Sequence, residues 1–288
     1  MFQRVMQDIL APFLWIFALV YIDDIVVFSK TFEEHCNHLD LVFKAIADSG
    51  LTLSPNKCHI AYQSLLLLGQ KVSRLGLSTH KEKVDAILQL EPPKSVPTLQ
   101  TFLGMMTYFS SYIPYYAWIV APLFSLLKKG SSWKWSELEQ HAFELAKTAL
   151  SSAPVMAYPM TDMPYRLYSD ACDYGIAAIL QQVQPIQVKD LEGTKLYERL
   201  SKAFQSKSPV PQLVTSGTKR KDNMTGGDIE DIYSFKDTWA ENFDDSIIHI
   251  ERVIAYWSRI LKPAERNYSA TEREALALKE GAVIYRRT

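Results

Sequence analysis

The sequence predicts an α+β fold. The chain has 288 residues, which is enough for one large domain or for two to three small ones with cores of their own. Short apolar strand patterns lie in the first part of the chain, and a helical pattern follows them. Strands then return and are followed by a final helix, so helices and strands are largely segregated along the sequence.

The composition is typical of a globular protein without a strong electrostatic field. Hydrophobic residues make up 48% of the chain, charged residues 22%, and the formal net charge is −1, so any nucleic-acid-binding surface must be a local patch. Cys36, Cys58 and Cys172 are isolated, which favours a reducing compartment. The apolar run 9–22 is shorter than a membrane span and has no cleavage site after it. These observations predict a location in the cytoplasm or nucleus and no membrane partner.

Residues 19–28, "LVYIDDIVVF", predict a β-hairpin that carries two adjacent carboxylates, Asp23 and Asp24. The arms are apolar at every position except Tyr21, which predicts that both of their faces are covered. Carboxylates in such a place need compensation, and a bound divalent cation would supply it. A polar hairpin tip explains the same pattern, because Asp is common in turns. A hydrolase acid–base pair explains it poorly, since strand neighbours point to opposite faces.

The elements around this hairpin follow from local signals. Residues 1–18 are predicted to be helical. Thr31 and Glu34 have the spacing of a capping box that opens a second helix, and this helix is expected to run to about Ser49 and to end at Gly50.

Two further features precede the helical part. His35 and His38 share a face of the second helix with Cys36 beside them, and this spacing can hold zinc, although an exposed pair of this kind is usually only a solvated surface. The segments "LTLSPNKCHI" and "LLLLGQKVSRLGLS" are predicted to form short strands separated by turns.

Residues 79–150 have the pattern of several helices. Lys128, Lys129 and Lys134 form a modest basic cluster, which is either a solvated helix end or a nucleic-acid contact. Aromatic side chains are dense here, and most are expected in the core, although exposed ones could stack on bases; they are Phe102, Tyr108, Phe109, Tyr112, Tyr115, Tyr116 and Trp118.

Strands are predicted again at 165–170 and 176–183. Residues 184–246 are polar, rich in Pro, Gly, Ser and Thr, and without sustained periodicity, so we interpret them as an inserted, largely disordered loop. A strand, "IHIERVIAYWSR", then resumes the fold, and a helix is predicted to start near Ser269.

The final helix contains a second acidic residue that needs an explanation. Glu272 forms a capping box with Ser269. Glu274 lies on the opposite side of the helix, which we interpret as the side that faces the core. Asp170 ends a strand, so Asp170 and Glu274 could share a cation if that strand packs against this helix. Purely structural use of both acids is the alternative.

Several longer motifs resemble a known family. "YIDDIVVFSKTFEEHCNHLDLVFKAI", "LTLSPNKC", "FLGMMTYFSSYI" and "APLFSLLKK" closely resemble the palm and thumb of reverse transcriptases from gypsy-type LTR retrotransposons. "YSDACDYGIAAILQQ" and "VIAYWSRILKPAERNYSATEREALAL" resemble the start of the ribonuclease H domain of the same Pol polyproteins. The amino-acid sequence of this part is similar to that of fungal elements. The order of these motifs is specific, whereas an isolated YxDD is not.

The resemblance implies roles for particular residues. Asp23 and Asp24 would be paired polymerase acids that bind metal, and Tyr21 would lie beside the growing primer end. Lys57 would protonate the pyrophosphate leaving group. Leu68 and Gly69 would lie in the region that grips the primer, and Asp170 and Glu274 would be the first two metal-binding acids of ribonuclease H.

The same resemblance implies a domain order, cofactors and partners. The palm would occupy residues 1–80, the thumb 81–130, a connection 131–160, and a ribonuclease H-like α/β domain 161–288. Both reactions are phosphoryl transfers that use two Mg²⁺ (or Mn²⁺) ions held by carboxylates. The implied partners are an RNA template, a DNA primer, RNA–DNA hybrid, deoxynucleoside triphosphates and other parts of the Pol polyprotein.

The sequence also departs from the family pattern. It begins inside the family's "FQRxM" segment, without the fingers and the third palm acid, and it ends before the next ribonuclease H acid. We therefore expect residues 1–288 to be catalytically incomplete. The alternative is a catalytically dead remnant that serves as a nucleic-acid-binding or protein-interaction module.

Overall fold

The computed structural model of the chain describes residues 2–214 and 235–286. It separates into two compact units, Met1–Leu65 and Leu66–Thr288, and each is described by itself. The division into palm, thumb, connection and ribonuclease H-like domain that the sequence suggested stays a prediction.

The first unit consists of two helices and one hairpin. Helix α1 spans Phe2–Ile9, strand β1 Ala18–Tyr21, strand β2 Asp24–Val27 and helix α2 Phe32–Asp48. The two strands are antiparallel, and their half-buried residues pack with the helices on a small apolar core. The buried members of this core are Met6, Leu10, Phe17, Ala18, Val42 and Ile46.

Two sequence predictions for this unit are wrong in their extent or type. The first helix ends at Ile9 rather than near residue 18, because turns occupy the chain from Leu10 to Phe17 and Trp15 adopts a positive φ of 65° that no helix continues through. Residues 51–60 form no strand and contain only a short 3-10 turn at Pro55–Lys57, where proline cannot donate to a sheet ladder. By contrast, Thr31 caps α2 as predicted, accepting from the Glu34 amide.

The second unit begins with a small sheet and a layer of helices. Strands β3 (Ser64–Leu67), β4 (Gln70–Ser73) and β5 (Gly76–Thr79) form one sheet, with the unit boundary inside β3. Helices α3 (Lys81–Leu88), α4 (Val96–Tyr108), α5 (Tyr116–Ser125) and α6 (Glu137–Ser151) follow. Their apolar faces build the largest core, whose fully buried side chains include Leu99, Phe102, Met106, Leu123 and Phe143.

A second antiparallel sheet follows this helical layer. Its strands are β6 (Tyr165–Ala171), β7 (Gly175–Gln187) and β8 (Ile247–Ile260), with β7 in the middle. Helix α8 (Ala270–Tyr285) packs on β6 and β7. Ser269 and Glu272 form the predicted capping box at its start.

Helix α8 approaches this sheet closely through small residues. A Cβ added at Gly281 would lie 2.8 Å from the Ala178 Cβ and 3.5 Å from a Leu167 methyl carbon. Ala277 is fully buried. The face of the sheet that α8 covers is therefore the one that carries Leu167 and Ala178.

Most of the segment predicted to be a disordered insertion is ordered where it is described. Residues 184–187 extend β7, and helix α7 (Lys195–Gln205) follows them. Leu200 is fully buried in an apolar cluster whose other buried members are Ile186, Val188, Leu191 and Ile248. The prediction is therefore wrong for 184–214 and 235–246, because side chains distant in sequence cover the apolar face of α7. Residues 215–234 lie outside the described part of the chain.

A charged contact fixes the chain after β8. The Glu265 carboxylate accepts from Arg259 Nη1 at 2.7 Å and from the Lys262 amide at 2.8 Å. Arg259 also lies 3.4 Å from Glu280 of α8. These bonds, the Arg259 guanidinium first, hold the pKa of Glu265 at about 2 instead of its ordinary 4.5.

Candidate functional site

The paired carboxylates lie at the tip of the β1–β2 hairpin. Tyr21 pairs with Asp24, so Ile22 and Asp23 form a two-residue turn. Ile22 has a positive φ of 55°, and Asp23 does not, as in a type II′ turn. A β-branched residue rarely adopts positive φ, so this turn is strained at the position beside the acids.

The structure corrects the expectation that these acids are buried. Asp23 and Asp24 are exposed, as are Tyr21 and Ile22, while the arms Ile25–Val27 are half-buried. The hairpin is thus a polar tip, and its two adjacent carboxylates are open to solvent. Their donor chemistry fits a hard divalent cation, since Mg²⁺ is commonly held by one or two carboxylates together with phosphate and water oxygens.

Lys57 also lies in the first unit. It ends the 3-10 turn Pro55–Lys57 and is exposed, and its amide donates to the Ser54 carbonyl at 3.0 Å. The turn fixes the backbone of Lys57, and its side chain is exposed to solvent.

The two histidines that the sequence offered as possible zinc ligands contact a serine and a phenylalanine instead. The Nδ1 atoms of His35 and His38 lie 3.2 Å and 2.8 Å from Ser29 Oγ. The His38 ring also stacks on Phe17 at 3.8 Å. Both imidazoles therefore close the junction between β2 and α2, and Cys36 points to solvent. The described residues contain no group of three His, Cys, Asp or Glu side chains that could hold a metal ion.

In the second unit, Leu68 and Gly69 form the turn between β3 and β4. Both have positive φ, 51° and 80°, as in a type I′ turn. The Tyr108 hydroxyl donates to the Leu68 carbonyl at 2.6 Å, and the Tyr112 hydroxyl donates to Gln70 Oε1 at 2.9 Å. Burial raises the pKa of Tyr112 to about 12, which keeps this hydroxyl a donor. Tyr108, the last residue of α4, and Tyr112, which follows that helix, thus bond to the turn and to the first residue of β4.

Asp170 lines a cleft of about 370 Å³ with the side chains of Tyr115, Tyr168 and Gln181. Burial, and after it the negative charge of Asp170, raises the pKa of Tyr115. Tyr115 stacks on Trp118 at 4.6 Å.

The register places Asp170 on the sheet face that α5 covers. Asp170 pairs with Ala177, and Ala177 pairs with Ser258 on β8. The Ser258 hydroxyl accepts from the Ala117 amide of α5 at 2.9 Å. Because neighbouring residues of a strand alternate between faces, Asp170 lies opposite the face of Leu167, which α8 covers.

Glu274 is exposed, as is Leu278, whereas Ala277 and Gly281 are buried against the sheet. Glu274 precedes Gly281 by seven residues, so it lies on the side of the helix that faces the sheet, as predicted, although it is not buried there. Helix α8 packs on β6, the strand that carries Asp170, so the packing on which a shared cation site depends is present. The metal-binding role of Asp170 and Glu274 stays a prediction.

Sequence reasoning missed three side chains near these positions. Tyr115 and Tyr108 were grouped with core aromatics, and Lys83 was not singled out. The aromatic density of residues 102–118 was the available signal for the tyrosines. The singled-out lysines Lys128, Lys129 and Lys134 are exposed. None of the described helices has the length and hydropathy needed to cross a membrane.

Comparison with known proteins gives a consistent result. Residues 1–105 match the family described as reverse transcriptase (RNA-dependent DNA polymerase). Residues 135–191 and 246–287 match the RNase H-like domain found in reverse transcriptase. The gap between these last two ranges falls within the insertion predicted from the sequence.

The relatives are polyproteins of transposons. The chain is 36% identical over 182 residues to the retrovirus-related Pol polyprotein from transposon 297 of Drosophila melanogaster. The aligned region covers 63% of this chain and 17% of that protein. It is 31% identical over 181 residues to the transposon Tf2-3 polyprotein of Schizosaccharomyces pombe, with 63% and 14% covered. The chain thus spans less than a fifth of the length of these relatives.

Solved structures share the fold. A foamy viral protease-reverse transcriptase in complex with double-stranded DNA matches with a TM-score of 0.69 at 18% identity, over 99% of this chain and 39% of that one. The same kind of protein in complex with RNA/DNA hybrid matches with a TM-score of 0.65 at 18% identity, over 98% and 30%.

Proposed function

Because this chain carries the reverse transcriptase and RNase H-like domains of retrotransposon Pol polyproteins, we propose that it serves RNA-directed DNA synthesis coupled to cleavage of RNA in RNA–DNA hybrids. The observation that carries the proposal is the exposed carboxylate pair Asp23–Asp24 at a strained hairpin tip, inside the part that matches reverse transcriptases. Its partners would be an RNA template, a DNA primer, deoxynucleoside triphosphates and other parts of Pol.

In the polymerase reaction, the residues of this chain bind and orient the reacting groups. Asp23 and Asp24 would hold Mg²⁺ or Mn²⁺, which when bound stabilises charge on the attacking and leaving oxygens. Tyr21, exposed beside them, would contact the growing primer end. Lys57 would donate a proton to the pyrophosphate leaving group, and Leu68 with Gly69 would hold the primer strand.

In the RNase H-like part, Asp170 and Glu274 would help to hold the divalent cation that serves cleavage of the RNA strand. Asp170 lines a cleft with Tyr115 and Tyr168, and Glu274 is exposed on α8, which packs on the strand that carries Asp170. The second candidate function is a nucleic-acid-binding module without chemistry of its own. The location in cytoplasm or nucleus stays a prediction.

Three assays on the full chain test the proposal. Filter binding to a primer–template duplex should show salt-sensitive affinity, because phosphate contacts release counterions. Mn²⁺ binding, followed by electron paramagnetic resonance, should weaken in Asp24→Asn while duplex binding stays within about twofold. Primer extension that Asp24→Asn abolishes would show polymerase chemistry in this chain, and binding without extension would show the binding module. A chain that binds neither duplex nor Mn²⁺ through these acids would refute the proposal.

A further inference from the structure

The turn between β3 and β4 is held from α3 as well as from α4. A Cβ added at Gly69 would lie 2.2 Å from Lys83 Nζ and 3.2 Å from the Tyr108 hydroxyl. The ammonium of Lys83 therefore packs directly on the glycine, where a larger residue would displace it. It also lies 5.7 Å from the centre of the Tyr108 ring, within the range of a cation–π contact.

The charge of Lys83 is not compensated by an acid in the described part of the chain. Lys83 is exposed, and no described carboxylate lies within ion-pair distance of its ammonium. A lysine that only stabilised the helix would be at least as well solvated with its ammonium pointing away from the turn. Here the ammonium instead lies against a ring and a glycine, in contact with the turn that also contains the exposed Leu68. A cation without an acidic partner among the described residues, placed beside an exposed turn, is suited to an anion that is delivered from outside.

We propose that Lys83 binds a backbone phosphate of the nucleic-acid strand that lies on the Leu68–Gly69 turn, and that Tyr108 positions this turn. The inference rests on the proposed function, because it assigns one contact within the same nucleic-acid surface. The ligand is a phosphodiester, since a single lysine contributes charge rather than base recognition. The positive φ at position 69 favours glycine, and a side chain there would displace the ammonium.

The two residues act differently, so their substitutions should differ in salt dependence. Lys83→Gln removes one phosphate contact and should lower the slope of log affinity against log salt by about 0.9. The affinity lost by this variant should therefore shrink about 3.5-fold when salt is raised from about 50 to about 200 mM. Tyr108→Phe removes only the bond to the Leu68 carbonyl, so we expect weaker binding with the slope of the unsubstituted chain.

The measurement is fluorescence anisotropy with a labelled primer–template duplex across a salt series. Lys81→Gln is the matched control, because Lys81 is exposed on the same helix and, two residues before Lys83, points to another side of it; its slope should equal that of the unsubstituted chain. Lys83→Arg keeps the charge and should restore the slope. Circular dichroism of each variant establishes that it is folded.

The possible outcomes are distinct. Equal slopes for Lys83→Gln and Lys81→Gln, in a chain that binds duplex in a salt-dependent way, would overturn this inference and leave the proposed function intact. A lowered slope in Tyr108→Phe would also overturn the division of roles. Absence of any salt-dependent duplex binding by the unsubstituted chain would overturn both proposals.

Discussion

Replacing Glu265 by glutamine should destabilise the second unit in a way that depends on pH. The Arg259 guanidinium and the Lys262 amide hold the pKa of Glu265 at about 2, against 4.5 for an unperturbed group. A difference of this size corresponds to about 3 kcal/mol of folding free energy, taken as an upper value. Because the pKa is lowered in the folded state, this contribution is fully present above pH 4.5 and is lost as the pH falls from 4.5 towards 2.

The assay must report on the second unit alone. Hydrogen exchange of amides in β8 and α8, measured for the unsubstituted chain and for Glu265→Gln, gives local opening free energies in that unit. We expect the unsubstituted chain to be more stable by up to about 3 kcal/mol at pH 7, with the difference shrinking below pH 4.5. Glu280→Gln is the control, since Glu280 is more exposed than Glu265 and lies farther from Arg259, at 3.4 Å. The effect of this substitution should stay under about 1 kcal/mol. A difference for Glu265→Gln that is equal at pH 7 and pH 2.5 would refute the reasoning.

Three further substitutions test other parts of the structure. Asp23→Asn should weaken Mn²⁺ binding in a calorimetric titration and leave the metal-free melting temperature unchanged, because the side chain is exposed; a marked loss of metal-free stability would show a structural role instead. Gly175→Ala should cost about 1–3 kcal/mol in urea unfolding, since its Cβ would lie 2.2 Å from Trp118 Nε1, and an unchanged midpoint would contradict this contact. Leu200→Ala should cost about 2–5 kcal/mol, and a cost near zero would restore the view that this insertion is disordered.

Local signals in the sequence predicted the elements that local interactions determine. The capping residues Thr31 and Ser269 begin helices where expected, because the cap and its partner are three residues apart. The hairpin around Asp23 follows from two apolar arms and a turn-forming residue. The resemblance to reverse transcriptases was confirmed by family comparisons over both parts of the chain.

The errors concern features that distant residues decide. Helix α7 forms because Leu200 finds Ile248 and other apolar partners far along the chain, which its polar composition could not show. The periodicity places Glu274 on the side of α8 that carries Gly281, but it could not show that Glu274 itself is exposed, because burial depends on how far the sheet extends under the helix. The positions assigned to Asp170 and Glu274 by family motifs stay predictions as to role.

The long pairing of β7 with β8 has a consequence for how the chain acquires its structure. Gln187 pairs with Ile247, so a loop of about 60 residues must close before these two strands can pair. The entropic cost of closing this loop opposes the formation of the first contacts between them. During synthesis at about 5–20 residues per second, one edge of β7 would stay open for several seconds before its partner emerges. An unpaired edge on a strand with so many apolar residues invites pairing with other chains. The length of the segment between the two strands therefore sets how long this edge stays unpaired during translation.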